Sequence, residues 1–315
     1  MKKIQFLLLL LLCFFTAAAQ TIENGNLIIG KVDSIQSKFL NANRKIWIYL
    51  PSSARKKPYK KQHYPIVYLL DAESHFTSVT GMIQQLSEVN GNKLVPEMIV
   101  IGIPNTNRSL DLTPTNALTG PDGKTYPNFK NSGGGEKFVA FIEKELKPHI
   151  DSLYAPSSHQ TIIGHSFGGL TVLNIMVNHP DLFNHYIAID PSMWWDSRKL
   201  LNETKIALRN KKFEGKQLFV GVANTMPAGM DTSTAITDTS GATGHIRAIL
   251  ALNEAIKNRP ENGLQYGYKY YNDDDHSSVP LIAEYDALHF LYKGYKKPDS
   301  DSGTATKVKQ TKKNR

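Results

Sequence analysis

Ser166 and His276 are the residues of this 315-residue chain whose settings point most directly to chemistry. Ser166 lies in Thr161-Ile162-Ile163-Gly164-His165-Ser166-Phe167-Gly168-Gly169-Leu170, where a β-branched run meets Gly-x-Ser-x-Gly and an apolar helical pattern follows at once. That succession reads as a nucleophile elbow, a strand-to-helix turn sharp enough to hold a serine clear of its neighbours. Gly164, Gly168 and Gly169 would permit the turn or the close approaches around it. The pentapeptide alone is weak, and its place between strand and helix gives it weight. At the amino end of a helix, unpaired N–H groups and the dipole favour a developing negative charge. The plain alternative is a glycine-rich helix start carrying a solvated serine.

A serine hydroxyl is a poor nucleophile near neutral pH, so it needs a base. His276, in Tyr271-Asn272-Asp273-Asp274-Asp275-His276-Ser277, follows the last expected strand and comes after the serine in chain order. A neutral imidazole there can take the serine proton and return it to a leaving group; the alternative is a surface histidine in an acidic turn. The other histidines are less well placed. His165 is inside the elbow, His75 follows an earlier strand, His245 is on a helix, and His149, His179 and His185 read as surface positions. A catalytic histidine normally needs a carboxylate to fix its tautomer, and three aspartates compete for the role. Asp190 ends the run Tyr186-Ile187-Ala188-Ile189 and precedes Pro191, which puts it at the carboxyl edge of a sheet, where active sites gather. It is preferred. Asp231 would need its loop to fold back, Asp275 adjoins His276 awkwardly, and a serine–histidine dyad aided by a carbonyl or water is the remaining arrangement.

The elements that must position these groups alternate in type. Residues 45–51 alternate like a strand, and 64–71 form a nearly continuous apolar run, as expected of a central strand buried on both faces. Residues 76–89 read as a helix and 98–103 as another buried strand. Residues 105–135 form a long loop with Pro114, Pro121 and Pro127, of a length that is usually functional or mobile. An amphipathic helix (136–150, through Phe138, Phe141, Ile142 and Leu146) leads into the elbow strand at 160–163. Strands at 185–189, 218–223 and 265–271 then alternate with helices at 244–258 and 280–292, and Trp194-Trp195 lies in a loop after the first of them. The pattern predicts an α/β class, a mostly parallel sheet with helices on both faces, in one domain over residues 20–297.

Composition narrows the setting. At 41% hydrophobic and 21% charged residues the chain is an ordinary globular protein, long enough for one large core. Lys2-Lys3, the apolar run 4–15 and Ala17-Ala18-Ala19 predict a cleavable secretory signal over residues 1–19, hence a periplasmic or secreted protein without a stable membrane anchor. The single cysteine, Cys13, falls inside that signal, so the mature chain would have no thiol nucleophile, disulfide or cysteine metal site. The net charge of +9 is concentrated in Lys2 and Lys3, in the run 55–61 and in a tail, 298–315, that reads as disordered; what remains is close to neutral. Nucleic acid is not an expected partner. Neither a metal nor a cofactor is called for.

Together these segments resemble the Putative esterase (esterase D-like) family of α/β-hydrolases, especially its secreted branch similar to enterochelin (catecholate siderophore) esterases. The resemblance is carried by Tyr64-Pro65-Ile66-Val67-Tyr68-Leu69-Leu70-Asp71, Arg108-Ser109-Leu110-Asp111-Leu112-Thr113-Pro114, Gly164 through Gly169, and His276-Ser277-Ser278-Val279-Pro280 with Glu284-Tyr285-Asp286, and it spans most of 31–292. It implies the α/β-hydrolase fold, Ser166 as nucleophile, His276 as base, and an oxyanion hole from the backbone N–H groups of Phe167 and Ala72. It also implies that Arg108 reaches the substrate cleft, where a guanidinium could hold a carbonyl, catecholate or carboxylate oxygen. An Arg108–Asp111 pair that only orders the loop is equally open. Trp194 could stack on an aromatic or sugar ring or serve only as an apolar lid. The chain departs from the family at 221–224, where a Glu commonly follows the strand and Asn224-Thr225-Met226 offers no carboxylate. The expected function is a serine esterase acting on a small carboxylic ester, siderophore-like or carbohydrate. An acyltransferase would use the same residues, and a non-catalytic binding module would need neither Ser166 nor His276.

Overall fold

The computed structural model describes residues 21–23, 25–55 and 63–296. The expected signal (1–19), most of the basic run 55–61 and the tail 298–315 lie outside the described residues. The apolar runs become eight strands of one sheet: β1 (Lys31–Ser37), β2 (Ala42–Tyr49), β3 (Tyr64–Leu70), β4 (Ile99–Ile103), β5 (Pro156–His165), β6 (His185–Ile189), β7 (Gln217–Ala223) and β8 (Gln265–Tyr271). Their spatial order is β8-β7-β6-β5-β3-β4-β2-β1. β3 to β8 are parallel, whereas β2 is antiparallel to both β1 and β4. A separate ribbon pairs Thr21–Glu23 with Asn26–Ile28.

Six helices cover the sheet: α1 (Ala72–Ser87), α2 (135–153, with a π turn at Ile142–Leu146), α3 (Phe167–Asn178), α4 (Trp195–Asn210), α5 (Gly244–Lys257) and α6 (Val279–Leu291). Strand period 2 divides the core in two. Tyr64, Ile66, Tyr68 and Leu70 of β3, with Tyr186 and Ala188 of β6, face a core shared with α2 to α5. Val67, Leu69, Ile187 and Ile189 face a second core shared with α1 and α6. Burial on both faces is why these strands are apolar without alternation. Helix α3 lies buried along its length and is apolar all round for the same reason.

Some expectations change. Only Trp194-Trp195 was expected in a loop, and the stretch after it, to which the sequence assigned no element, forms helix α4, entered through a left-handed turn at Asp196, Ser197 and Arg198. The burial of Leu200, Leu201, Thr204, Ala207 and Leu208 has helical spacing. His185 is a core residue and not a surface one, and burial pushes its imidazole down to about 4. The loop 105–135 is braced. Asn116 Nδ2 donates to the carbonyls of Lys130 (2.9 Å) and Ser132 (3.0 Å), Thr119 bridges Thr125, and Trp195 Nε1 donates to the Thr115 carbonyl at 3.0 Å. Its tip packs backbone to backbone, since Cβ atoms at Gly241 and Gly244 would collide with Asp122 and Pro121. Among the described residues no helix is long and apolar enough to cross a membrane.

Candidate active site

β5 lies between β3 and β6, and each of these three strands is followed at once by a non-glycine residue with positive φ: Asp71 (51°), Ser166 (58°) and Asp190 (40°). Such a conformation costs an L-residue roughly 1–2 kcal/mol and turns the chain sharply away from the sheet. At Ser166 the turn is so tight that a Cβ on Gly164 would strike the backbone of Gly168, and one on Gly169 would lie 3.0 Å from Pro191 Cα. Ser166 and Asp71 occupy the N-cap positions of α3 and α1, yet neither side chain makes a capping bond. Their polar groups are thereby left for other partners. The first N–H groups of those helices, including those of Phe167 and Ala72, have no intrahelical acceptor.

Ser166 Oγ lies 3.1 Å from His276 Nε2, and His276 Nδ1 lies 2.5 Å from Asp190 Oδ2. Asp190 is fully buried, and its Oδ1 accepts the Ala223 N–H at 3.1 Å. A second imidazole reaches it, with His245 Nε2 2.8 Å from the same Oδ2. Burial pushes this carboxyl up, but the His245 and His276 imidazoles outweigh burial and hold it well below the usual carboxylate range. An ionised carboxylate only accepts, so both ring nitrogens facing it carry hydrogen. That fixes the neutral His276 tautomer with Nε2 unprotonated and turned toward the serine hydroxyl. His165 packs against His276 with ring centroids 4.5 Å apart, and burial followed by the charge of His276 pushes it down to about 3. Ser192 Oγ lies 3.3 Å from Ser166 Oγ.

The competing aspartates use their carboxylates locally. Asp231 caps the helix Thr232–Thr237, accepting from Thr234 N (2.8 Å) and Ser233 Oγ (2.7 Å). Asp275 Oδ1 accepts the N–H groups of Ser277 (2.8 Å) and Ser278 (2.9 Å). Asp190, His245 and His276 are also metal-ligand types within reach of one another. Their N···O separations of 2.5 and 2.8 Å are those of hydrogen bonds. Ligands bonded at ~2.1 Å to one tetrahedral ion would stand ~3.4 Å apart.

On the other side of the serine, Arg108 grips Asp71 through two bonds, Nε to Oδ1 at 2.7 Å and Nη2 to Oδ2 at 2.9 Å, and also donates to the His165 carbonyl at 3.1 Å. Asn105 Nδ2 adds a bond to Asp71 Oδ1 at 2.6 Å. Burial raises the Asp71 carboxyl, but Arg108 more than reverses it. The alternative Arg108–Asp111 pair does not form. Asp111 belongs to Arg44, 2.7 Å away in a buried pair, because Asp111 points inward from its short helix toward β2. Arg108 instead lies 5.4 Å over the Phe167 ring. Trp195 is buried, whereas Trp194 is half-buried, 6.0 Å from Phe167 and 6.4 Å from Phe129. Sequence reasoning missed Asp71, Asn105, Phe129, Ser192 and His245 as neighbours of the site. Only Asp71 had a signal, since an aspartate closes its apolar strand just as Asp190 closes β6.

The Putative esterase family profile matches residues 37–255. Among curated proteins the chain is similar to the ferri-bacillibactin esterase BesA of Bacillus subtilis, 36% identical over 176 residues (52% of this chain, 59% of that protein). It is also similar to the siderophore enterobactin esterase of Emericella nidulans, 31% identical over 152 residues (44% and 50%). The chain thus spans about half the length of the curated relatives it matches. Among solved structures it is similar to an IroE-like serine hydrolase from Shewanella oneidensis, with TM-score 0.74 and 33% identity over 84% of this chain and 80% of that one. With this sheet order, this elbow and this profile match, the chain belongs to the Putative esterase family and has the α/β-hydrolase fold.

Proposed function

We propose that the protein is an exported serine esterase that hydrolyses a small carboxylic ester through an acyl-enzyme on Ser166. The reading rests on one observation, the unbroken hydrogen-bonded line from Ser166 through His276 to buried Asp190, at 3.1 and 2.5 Å. His276 Nε2 takes the hydroxyl proton as Oγ attacks the ester carbon, while Asp190 holds the ring and stabilises the imidazolium. The N–H groups of Phe167 and Ala72 receive the oxyanion, at about 3 kcal/mol per donor. His276 then gives its proton to the departing alkoxide, and a water repeats the sequence to release the acid and restore Ser166. The half-buried rings of Phe129 and Trp194 both pack on Phe167, which also lies beneath the Arg108 guanidinium, and they suit a substrate bearing an aromatic ring or a sugar. The siderophore esters named for the relatives, or a carbohydrate ester, fit that description. The catalytic domain covers residues 20–297, and export rests on residues 1–19.

The test is hydrolysis of short aryl esters by protein lacking residues 1–19, together with its labelling by a fluorophosphonate. Wild type turns over and is labelled at Ser166; Ser166→Ala loses at least roughly 10⁴-fold in kcat and is not labelled. Equal turnover by Ser166→Ala would sink the reading. Transfer of the acyl group to an added sugar in preference to water would make the protein an acyltransferase.

A further inference from the structure

The site contains a histidine that a serine, histidine and aspartate do not require. His245 stands in the first turn of α5, its side chain 14% exposed, with Nε2 2.8 Å from Asp190 Oδ2, the same oxygen that faces His276 at 2.5 Å. The two imidazoles meet edge to face, with centroids 5.1 Å apart and planes at 86°. His245 is held in place from outside. The turn before it contains Gly241 and Gly244, whose missing Cβ atoms leave room for the backbone of Asp122 and Pro121 at the tip of the braced loop. The remaining oxygen of Asp190 is taken by the Ala223 N–H. A carboxylate with no solvent contact would otherwise have a single backbone donor besides the base, and it could swing with its χ2 toward or away from His276.

We infer that His245 is a positioning residue for hydrolysis: by donating Nε2–H to Asp190 Oδ2 it locks the carboxylate in the one orientation that faces His276 Nδ1. The inference rests on the esterase reading and deepens it. His245 touches neither the nucleophile nor the base through a hydrogen bond and acts through Asp190 alone. Removing its donor therefore slows formation of the acyl-enzyme without weakening substrate binding. Outer-shell groups that orient a catalytic ligand typically contribute 10- to 100-fold.

His245→Leu removes the donor and keeps an apolar body; His245→Gln places an amide N–H near the position of Nε2. On aryl esters His245→Leu should lose roughly 10- to 100-fold in kcat with KM within twofold, and fluorophosphonate labelling of Ser166 should slow by the same factor. His245→Gln should recover most of the loss. Because the effect runs through Asp190, His245→Leu added to Asp190→Asn should cost nothing further, a non-additivity that a merely structural residue would not show. If His245→Leu does not purify folded, His245→Asn, whose shorter amide stops short of the carboxylate, takes its place in the same cycle. Wild-type kcat in the donor-less variant, a loss confined to KM, or full additivity with Asp190→Asn each overturns the proposal. Activity surviving in Ser166→Ala would instead overturn the esterase reading beneath it.

Discussion

Two buried carboxylates flank Ser166, Asp71 at the end of β3 and Asp190 at the end of β6, and they look alike until their partners are considered. Each closes an apolar strand, each has positive φ, each is held below the usual carboxylate range. Asp71 is gripped by a guanidinium, which stays charged at any working pH. Asp190 meets two imidazoles, side chains that can hand a proton on and take it back during a reaction. One pair is a fixed brace between β3 and the elbow; the other can respond to a moving proton. The same backbone device serves two ends because the partner decides whether charge can move.

The strongest way to break the comparison is Asp190→Asn. Its expected loss is about 10⁴-fold in kcat with thermal unfolding little changed, read from steady-state rates and a melting curve. Retention of even a tenth of the activity would erase the difference between the two sides. Asp71→Asn should act in the opposite sense, chiefly on stability. Breaking a buried pair costs about 3–5 kcal/mol, and the 35% exposure of the Arg108 side chain lowers the expectation to about 2 kcal/mol in urea unfolding.

A third carboxylate sharpens the contrast through pH. His75 Nδ1 lies 2.9 Å from Glu284 Oε1. Burial lowers His75, but Glu284 more than reverses this and raises it; burial raises Glu284. A raised histidine contributes stability that is complete below its unfolded value near 6.5 and is lost as pH rises through the folded value. A raised glutamate also favours the folded state at lower pH, so the two shifts share a sign. Wild type should lose more melting temperature than Glu284→Gln between pH 6 and pH 9, and a gap that does not vary with pH would refute the pairing. The smallest effect is expected at Asp231, whose carboxylate only caps a surface helix. Asp231→Ala should keep kcat within twofold of wild type, and a large loss would move the acid to β7's loop.

The parts of the site legible in the sequence were those with a local signature. The elbow is contiguous, β3 and β6 announce themselves as apolar runs, and His276 follows the last strand. The pairs across the site had no such signature. Arg108 joins Asp71 across 37 positions and His245 joins Asp190 across 55, and nothing in spacing or periodicity distinguishes these partners from Asp111 or from a solvated helix histidine. Helix α4 is legible in principle from the spacing of Leu200, Leu201, Thr204, Ala207 and Leu208, but Trp194-Trp195 at its head reads as a loop pair. The braces of the loop 105–135 run through carbonyls and glycine clearances, which a sequence does not display.

Ser166, at φ 58° and ψ −113°, occupies backbone space that glycine enters freely and serine does not. Strain of this kind is worth of order 1–3 kcal/mol, and only part of its relief by glycine would be offset by the extra entropy glycine loses on folding. The fold therefore prefers, at the position proposed for the nucleophile, a residue that has no hydroxyl. Foldability and turnover pull in opposite directions at this position. A screen of this chain for thermal robustness alone, blind to ester cleavage, would enrich Ser166→Gly variants among its winners.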